Sequence, residues 1–188
     1  GFGAIITSAS SVNESGNVNH LQKSFEQTDE VVNIDEPRIY FGLETNDTVV
    51  TNSNSKKEFD YPTDDAVNNT ENTYDGDAGL KVNLLDRIII AIKEKDAKLA
   101  FSGNVTSESR IIPNRNIIQR AKTIMPYLTY DNDPYMIITN EGKLVWVLDA
   151  YTTSNEYPYS QRTILENNGI IKKEINYIRN SVKVIIDA

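Results

Sequence analysis

The order of apolar and polar positions divides the chain into a polar beginning and a longer part with regular patterns. Residues 1–36 are rich in serine, asparagine, glutamine and acids, and their apolar positions are scattered. Because such a composition offers little apolar surface to bury, we predict a polar N-terminal arm over 1–36. The regular patterns fill 37–188, which we expect to form a single domain, since a chain of 188 residues is within the usual domain range.

Two segments repeat apolar residues at helical spacing. The first helix is predicted over about 82–96, capped by Asn83 with Asp86, and its stripe comprises Leu85, Ile88, Ile89 and Ile92. The second is predicted to begin near Pro113 and to end before Pro126, and its stripe comprises Ile117, Ile118, Ala121, Ile124 and Met125. We expect both stripes to face the core.

Strand patterns surround the helices. Residues 135–138 and 144–151 predict a β-hairpin across Asn140, Glu141 and Gly142, with the glycine at a position of positive φ. The second strand is apolar on both faces, so we expect it to be central in its sheet. Short strands are predicted at 37–42, 48–50 and 59–61, a loop at 62–79 and a last strand at 182–187. This order predicts an α+β fold, mainly an antiparallel sheet with a central hairpin packed against two amphipathic helices.

Composition excludes several kinds of function. A net charge of −8 disfavours a nucleic-acid binder, which needs clustered basic residues. The chain has no cysteine, so thiolate metal sites and thiol nucleophiles are excluded. A Ser-His-Asp triad would depend on His20, the one histidine, which lies in the predicted polar arm. We therefore expect a protein that is not an enzyme and has no cofactor, apart from one candidate metal.

That candidate is calcium. Asp131 and Asp133 enter the predicted hairpin, and Asp149 lies near the end of its second strand, so antiparallel pairing brings the three carboxylates near one another. The favoured alternative is that Asp131 and Asp133 form Asx-turns while Asp149 caps the following turn.

Tyrosines cluster in the same region. Tyrosine is apolar at one end and polar at the other, which suits surfaces that bind a partner protein or a glycan. The candidate binding residues are Tyr157 and Tyr159, followed by Tyr130 and Tyr135.

Several motifs resemble a known family. They read PRIYFG, ETND, EFDYP, NLLDRIIIAI, SRIIPNRNI, YLTYDNDPY, WVLDAYTTSNEYPYSQ and INYIRNSVKVIIDA in this order. Over about 37–188 the chain resembles uncharacterised protein family 0182, large bacterial and archaeal membrane proteins with a long extracytoplasmic part. The resemblance implies a soluble piece from the outer side of the cell membrane. Its implied partners are the membrane portion of the same parent protein and other envelope proteins or glycans.

The resemblance implies no catalytic residues. It also implies that the last strand is normally followed by another, so we expect an exposed strand edge here. Two hypotheses follow. The first is a non-catalytic interaction or structural module that docks through the region of Tyr157 and the free edge. The alternative is a domain that binds or hydrolyses envelope glycans with the clustered tyrosines and aspartates.

Overall fold

The computed structural model describes residues 1–24, 26–27, 33–54, 57–62, 69–167 and 171–188. They divide into two compact units. The first comprises Gly1, Gly3–Thr45 and Asn116–Ala188, and the second comprises Phe2 and Asn46–Arg115. Most of the regular structure is antiparallel strand with a few helices, which agrees with the predicted α+β class.

The first unit is built on a four-stranded antiparallel sheet. Its strands are β9 (Thr129–Tyr130), β10 (Tyr135–Ile138), β11 (Leu144–Ser154) and β14 (Tyr177–Asp187). Strand β11 pairs with β14 on one side and with β10 and β9 on the other, so it is central, as the sequence predicted. Gly142 in the hairpin loop has a φ of 72°, which confirms its predicted role.

Helix α3 (Ile117–Ile124) covers one face of this sheet. It begins later than predicted because Asn116 is the N-cap: its side chain accepts a hydrogen bond from the N–H of Gln119. The core on this face comprises Ala121, Leu128, Tyr130, Leu148 and Ala150, with Ile118, Met125, Val182 and Val184 packed against it. Most of the predicted α3 stripe therefore faces the core, while Ile124 is exposed.

The N-terminal segment differs from the expected polar arm. It contains a hairpin of β1 (Ala4–Val12) and β2 (Val18–Ser24), extended by β3 (Glu26–Gln27). The turn is formed by Asn13, whose side chain accepts hydrogen bonds from the N–H groups of Ser15 and Asn17, and by Gly16 with a φ of 78°. Hydrogen bonds between the two strands and within the turn hold this hairpin together, so a polar composition is compatible with it.

Two further strands of the first unit were not predicted from the sequence. They are β12 (Thr163–Asn167) and β13 (Ile171–Ile175), which pair with each other. Residues 37–42, predicted as a strand, form only isolated bridges in the described structure, which join Glu36 to Lys143 and Gly42 to Asn116. Trp146 is half-buried and its indole N–H donates to the carbonyl of Phe41 at 2.9 Å.

The second unit combines short strands with two helices. Strands β4 (Val49–Thr51), β8 (Arg110–Ile112) and β7 (Leu80–Lys81) form one sheet, and β5 (Glu58–Pro62) pairs with β6 (Asn69–Asn72). The helices are α1 (Leu84–Glu94) and α2 (Lys98–Phe101). Strands β4 and β5 agree with the prediction, whereas β6, β7, β8 and α2 were not predicted. Residues 63–68 of the expected loop lie outside the described residues.

Helix α1 confirms one prediction and corrects another. Asn83 and Asp86 form the predicted capping box. The expectation that its stripe faces the core is wrong for Leu85, Ile89 and Ile92, which are exposed, whereas the fourth member, Ile88, is half-buried. The sequence pattern identifies an apolar face of a helix but does not specify which other surface covers it.

Candidate interaction surface

The loop that follows β11 is held in one conformation by a single asparagine. The Asn176 side chain accepts a hydrogen bond from the N–H of Tyr157 at 3.0 Å and donates to the carbonyl of Tyr157 at 2.8 Å. The Ser160 hydroxyl donates to the Asn176 carbonyl at 2.7 Å, and the Asn176 N–H donates to the carbonyl of Ser154 at 2.8 Å. We call residues 155–160 the tyrosine loop.

This loop presents two tyrosines at the surface. Tyr157 stacks on Tyr177, with ring centroids 4.9 Å apart and an angle of 16° between the planes. Tyr159 is fully exposed, and its φ of 60° is unusual for a residue that is not glycine. Such a conformation costs free energy and persists where surrounding contacts maintain it, here the hydrogen bonds of Asn176. Both predicted residues are therefore exposed, and the hydrogen bonds of Asn176 hold the backbone at Tyr157 and Ser160, on either side of Tyr159.

The other two candidate tyrosines lie elsewhere. Tyr130 is buried in the core beneath α3, where its hydroxyl lies 2.9 Å from the carbonyl oxygens of both Ala121 and Met125. Burial raises its pKa. A buried side chain of this kind holds the C-terminal end of α3 and offers no binding surface, so its assignment to the candidate surface is corrected. Tyr135 is partly exposed on β10, separate from the tyrosine loop.

Asp131 forms an Asx-turn at the entry to the hairpin. One carboxylate oxygen accepts hydrogen bonds from the N–H of Asn132 at 2.7 Å and of Asp133 at 3.3 Å. The other oxygen accepts from the hydroxyl of Tyr151 at 3.3 Å. Burial, followed by the charge of Asp131, raises the pKa of Tyr151.

Asp149 forms an ion pair with Lys183, a residue that the sequence pattern did not indicate. The Lys183 ammonium donates to Asp149 at 2.6 Å and to the Tyr135 hydroxyl at 3.3 Å, and the Asn180 amide donates to Asp149 at 3.2 Å. The hydrogen bond from Lys183, followed by that from Asn180, lowers the pKa of the Asp149 carboxyl. The hydrogen bond to Asp149, followed by that to Tyr135, raises the pKa of Lys183.

This arrangement does not support the calcium interpretation. Lys183 already supplies the positive charge beside Asp149, Asp131 is engaged by N–H groups and Tyr151, and the side chain of Asp133 is exposed. Across the described ranges, no group of three or more His, Cys, Asp or Glu side chains is arranged to hold a metal ion. The favoured alternative of Asx-turns fits Asp131, whereas Asp149 takes part in an ion pair.

The sequence pattern did not indicate Lys183, because the pattern does not specify the register between β11 and β14. In the structure Asp149 lies opposite Lys183, and Tyr135 lies opposite Val147 on the neighbouring strand. Cross-strand neighbours of opposite charge stabilise an antiparallel pair. The two long strands have similar ends, and this similarity was the available signal. The β-bulge between Ala150 and Tyr151 changes the register along the strands, so the similarity alone does not give the pairing.

A shallow cleft of about 300 Å³ lies beside Asp131. Its lining mixes polar groups of Asp131 and Tyr151 with the apolar side chains of Leu165 and Ile178.

The lone histidine, His20, lies exposed on β2 opposite Thr7.

Known proteins resemble the chain over its whole length. It is 49% identical over 189 aligned residues to a UPF0182 protein of Clostridium tetani, with 100% of this chain and 20% of that protein covered. It is 46% identical to a UPF0182 protein of Clostridium acetobutylicum, of which it covers 19%, and 44% identical to one of Clostridium botulinum, of which it covers 20%. The chain thus spans about a fifth of the length of these relatives.

No solved structure matches the chain significantly. Among the residues that the structure describes, no helix has the length and apolar character needed to span a membrane. The family signature is unambiguous, because a sequence model of the uncharacterised protein family UPF0182 matches residues 1–188. The chain belongs to the UPF0182 family.

Proposed function

We propose that this chain is a non-catalytic interaction module of a longer UPF0182 protein. It docks through the tyrosine loop and the open edge of β14, onto the membrane portion of the same protein or onto another envelope protein, on the outer side of the cell membrane. The observation that carries the proposal is the fully exposed Tyr159, kept at a positive φ by a loop that Asn176 fixes.

The tyrosine loop has the properties of an interface anchor. Tyrosine is enriched where protein surfaces bind, because its ring buries a large area and loses little conformational entropy. The stack of Tyr157 on Tyr177 and the hydrogen bonds of Asn176 fix the loop before a partner arrives. A surface organised in advance loses less entropy on binding than a mobile one.

The edge of β14 is a second element of the proposed surface. This strand has 11 residues and, within the described part of the chain, pairs only with β11. Its exposed residues include Ile178 and Ile185, which are 49% and 65% exposed. Long strand edges with apolar side chains readily accept another strand, so natural proteins usually cover or interrupt them.

The carboxylates favour binding over catalysis. A general acid for glycoside hydrolysis needs a raised carboxyl pKa at pH 7. The pKa of Asp149 is lowered by Lys183 and Asn180, which keeps this carboxylate ionised. Glycan binding without hydrolysis remains the second candidate, since Tyr157 and Tyr177 offer aromatic rings beside the Asn176 amide.

Site-specific photo-crosslinking in the full-length protein tests the proposal. Tyr159 is replaced by a photoreactive phenylalanine derivative, and the matched control places the same group at Tyr127, which is 73% exposed outside the loop. We expect a crosslinked peptide from Tyr159, within the same polypeptide or from another envelope protein, and none of comparable yield from Tyr127.

Two outcomes would contradict the docking proposal. Equal, unspecific labelling from both positions would show that Tyr159 contacts no defined protein surface. Crosslinks to saccharide alone, together with retention of the isolated chain on an envelope glycan array, would instead favour the glycan-binding candidate.

A further inference from the structure

Helix α1 in the second unit has a continuous apolar stripe in solvent. Leu85, Ile89 and Ile92 follow one another at i, i+4 and i+7, and they are 71%, 65% and 73% exposed. Residues at this spacing lie on one face of a helix. Leu84, at the start of the helix, is also 60% exposed. Contiguous apolar patches of this kind on a soluble domain mark interaction sites.

The opposite side of α1 is already engaged, so the helix cannot rotate to bury the stripe. The Arg87 guanidinium donates to the carbonyl oxygens of Leu99 at 3.2 Å, Ser102 at 2.8 Å and Val105 at 3.3 Å. Ala91, one turn further along, is buried. Rotation would break three charge-assisted hydrogen bonds and expose Ala91. The exposed stripe is therefore a fixed property of this unit.

The surroundings of the stripe are basic although the chain as a whole is acidic. Without Arg87, which lies on the opposite side of α1, residues 81–98 contain four basic and three acidic residues, a net charge of +1 in a chain of net −8. The exposed lysines of this segment are Lys81, Lys93, Lys95 and Lys98. An apolar surface with a cationic rim fits an apolar segment flanked by acidic side chains.

We infer that this stripe, Leu84, Leu85, Ile89 and Ile92, is the docking site for an apolar, acid-flanked segment of the same full-length polypeptide that lies outside residues 1–188. The UPF0182 relatives are about five times as long as this chain, since it covers 20% of them. Such a protein has ample polypeptide to supply the covering segment.

The size of the stripe favours an intramolecular occupant over a second copy. Helix α1 has 11 residues and is therefore about 16 Å long. A stable interface between separate proteins buries about 800 Å² on each partner, which is large for a single stripe of this length. Within one polypeptide the effective concentration of the two surfaces is on the order of millimolar or higher, so a small apolar contact suffices.

Cysteine labelling compares the exposure of the stripe in the isolated chain with its exposure in the full-length protein. The chain contains no cysteine, so Ile89→Cys introduces a unique thiol in the isolated chain. In the full-length protein, any other cysteine is replaced by serine. Ser107→Cys is the matched control, since Ser107 is an exposed residue of the same unit that does not belong to α1. Labelling with a water-soluble maleimide is followed in the isolated chain and in the full-length protein in membranes and in detergent.

We expect Ile89→Cys to react at least about tenfold more slowly in the full-length protein than in the isolated chain, in membranes and in detergent alike. Ser107→Cys should react equally in all settings. Equal labelling of Ile89→Cys in both proteins would overturn the inference. Protection that disappears in detergent would show that lipid covers the stripe. Protection of the isolated chain that grows with its concentration would show that a second copy covers the stripe. Either result would also overturn the inference.

A second substitution at the same position tests the inference without depending on the folding of the cysteine variant. Ile89→Lys places a charge at an exposed position, so the melting temperature of the isolated chain should not fall. The full-length protein carrying the same substitution should become more sensitive to limited proteolysis. Unchanged proteolysis would contradict the inference. Labelling at Ile89 and crosslinking at Tyr159 report on different units, so either result can fail without the other.

Discussion

At the scale of residues, Lys183 explains how the predicted acidic cluster is arranged. A sequence with Asp131, Asp133 and Asp149 near one hairpin suggests a cation site, but the register of β14 places an ammonium group beside Asp149. Lys183 also lies over the ring of Tyr135, with the nitrogen 5.7 Å from the centroid. The negative charge of Asp149 is therefore already neutralised by a side chain of the same sheet.

The pKa of Asp149 provides the first test of this arrangement. Its folded-state pKa lies below the ordinary value of 3.8, so the ion pair stabilises the fold above that value and is lost as the pH falls through the lowered pKa. The pKa of Lys183 lies above the ordinary value of 10.5, so its contribution is complete below that value and is lost as the pH rises through the raised pKa. The pair is therefore intact through neutral pH.

Carboxyl titration followed by ¹³C NMR measures this effect. We expect Lys183→Met to raise the pKa of Asp149 toward its ordinary value, because the largest cause of the lowered pKa is removed. Lys173→Met is the matched control, since its ammonium donates to the hydroxyl of Thr153. An Asp149 pKa that stays unchanged in Lys183→Met would show that the pair does not form in solution.

At the scale of elements, the sequence predicts those parts of the fold whose information is local. Alternating apolar positions and Gly142 predict the β10–β11 hairpin, and Asn83 with Asp86 predicts the start of α1. The N-terminal hairpin escaped prediction because backbone pairing, rather than an apolar pattern, holds it together. The exposure of Ile89 escaped it because helical periodicity does not reveal what covers the stripe.

The hairpin loop offers a test at this scale. Gly142 has a φ of 72°, and a β-carbon built there would lie 2.7 Å from the backbone nitrogen of Asp35, which donates to the Gly142 carbonyl at 2.9 Å. We expect Gly142→Ala to lower the free energy of unfolding by about 1–3 kcal/mol, through backbone strain and the displaced contact. Chemical denaturation followed by Trp146 fluorescence measures the change.

Gly103→Ala is the matched control for this substitution. A β-carbon at Gly103 would meet no atom within 4 Å, so the added methyl group has room. We expect a change near zero for the control. If Gly142→Ala were as stable as the control, the loop would not have the conformation described here.

At the scale of the whole molecule, the chain spans about a fifth of the length of its UPF0182 relatives and has candidate surfaces in both compact units. The first unit carries the tyrosine loop and the β14 edge, and the second carries the α1 stripe. The strand edge was an expectation from the family resemblance. The sequence indicated Tyr157 and Tyr159, which are exposed, but also Tyr130, which is buried. It did not identify Asn176, whose role depends on a contact 19 residues away from Tyr157.

Hydrogen–deuterium exchange of the full-length protein and of the isolated chain tests the central claim most directly. If the chain is an interaction module, the amides of the tyrosine loop and those of β14 that point away from β11 should exchange at least about tenfold more slowly in the full-length protein. The amides of α3, already bonded within the helix, should exchange equally in both. Equal exchange of the loop and the edge in the two proteins would contradict the account.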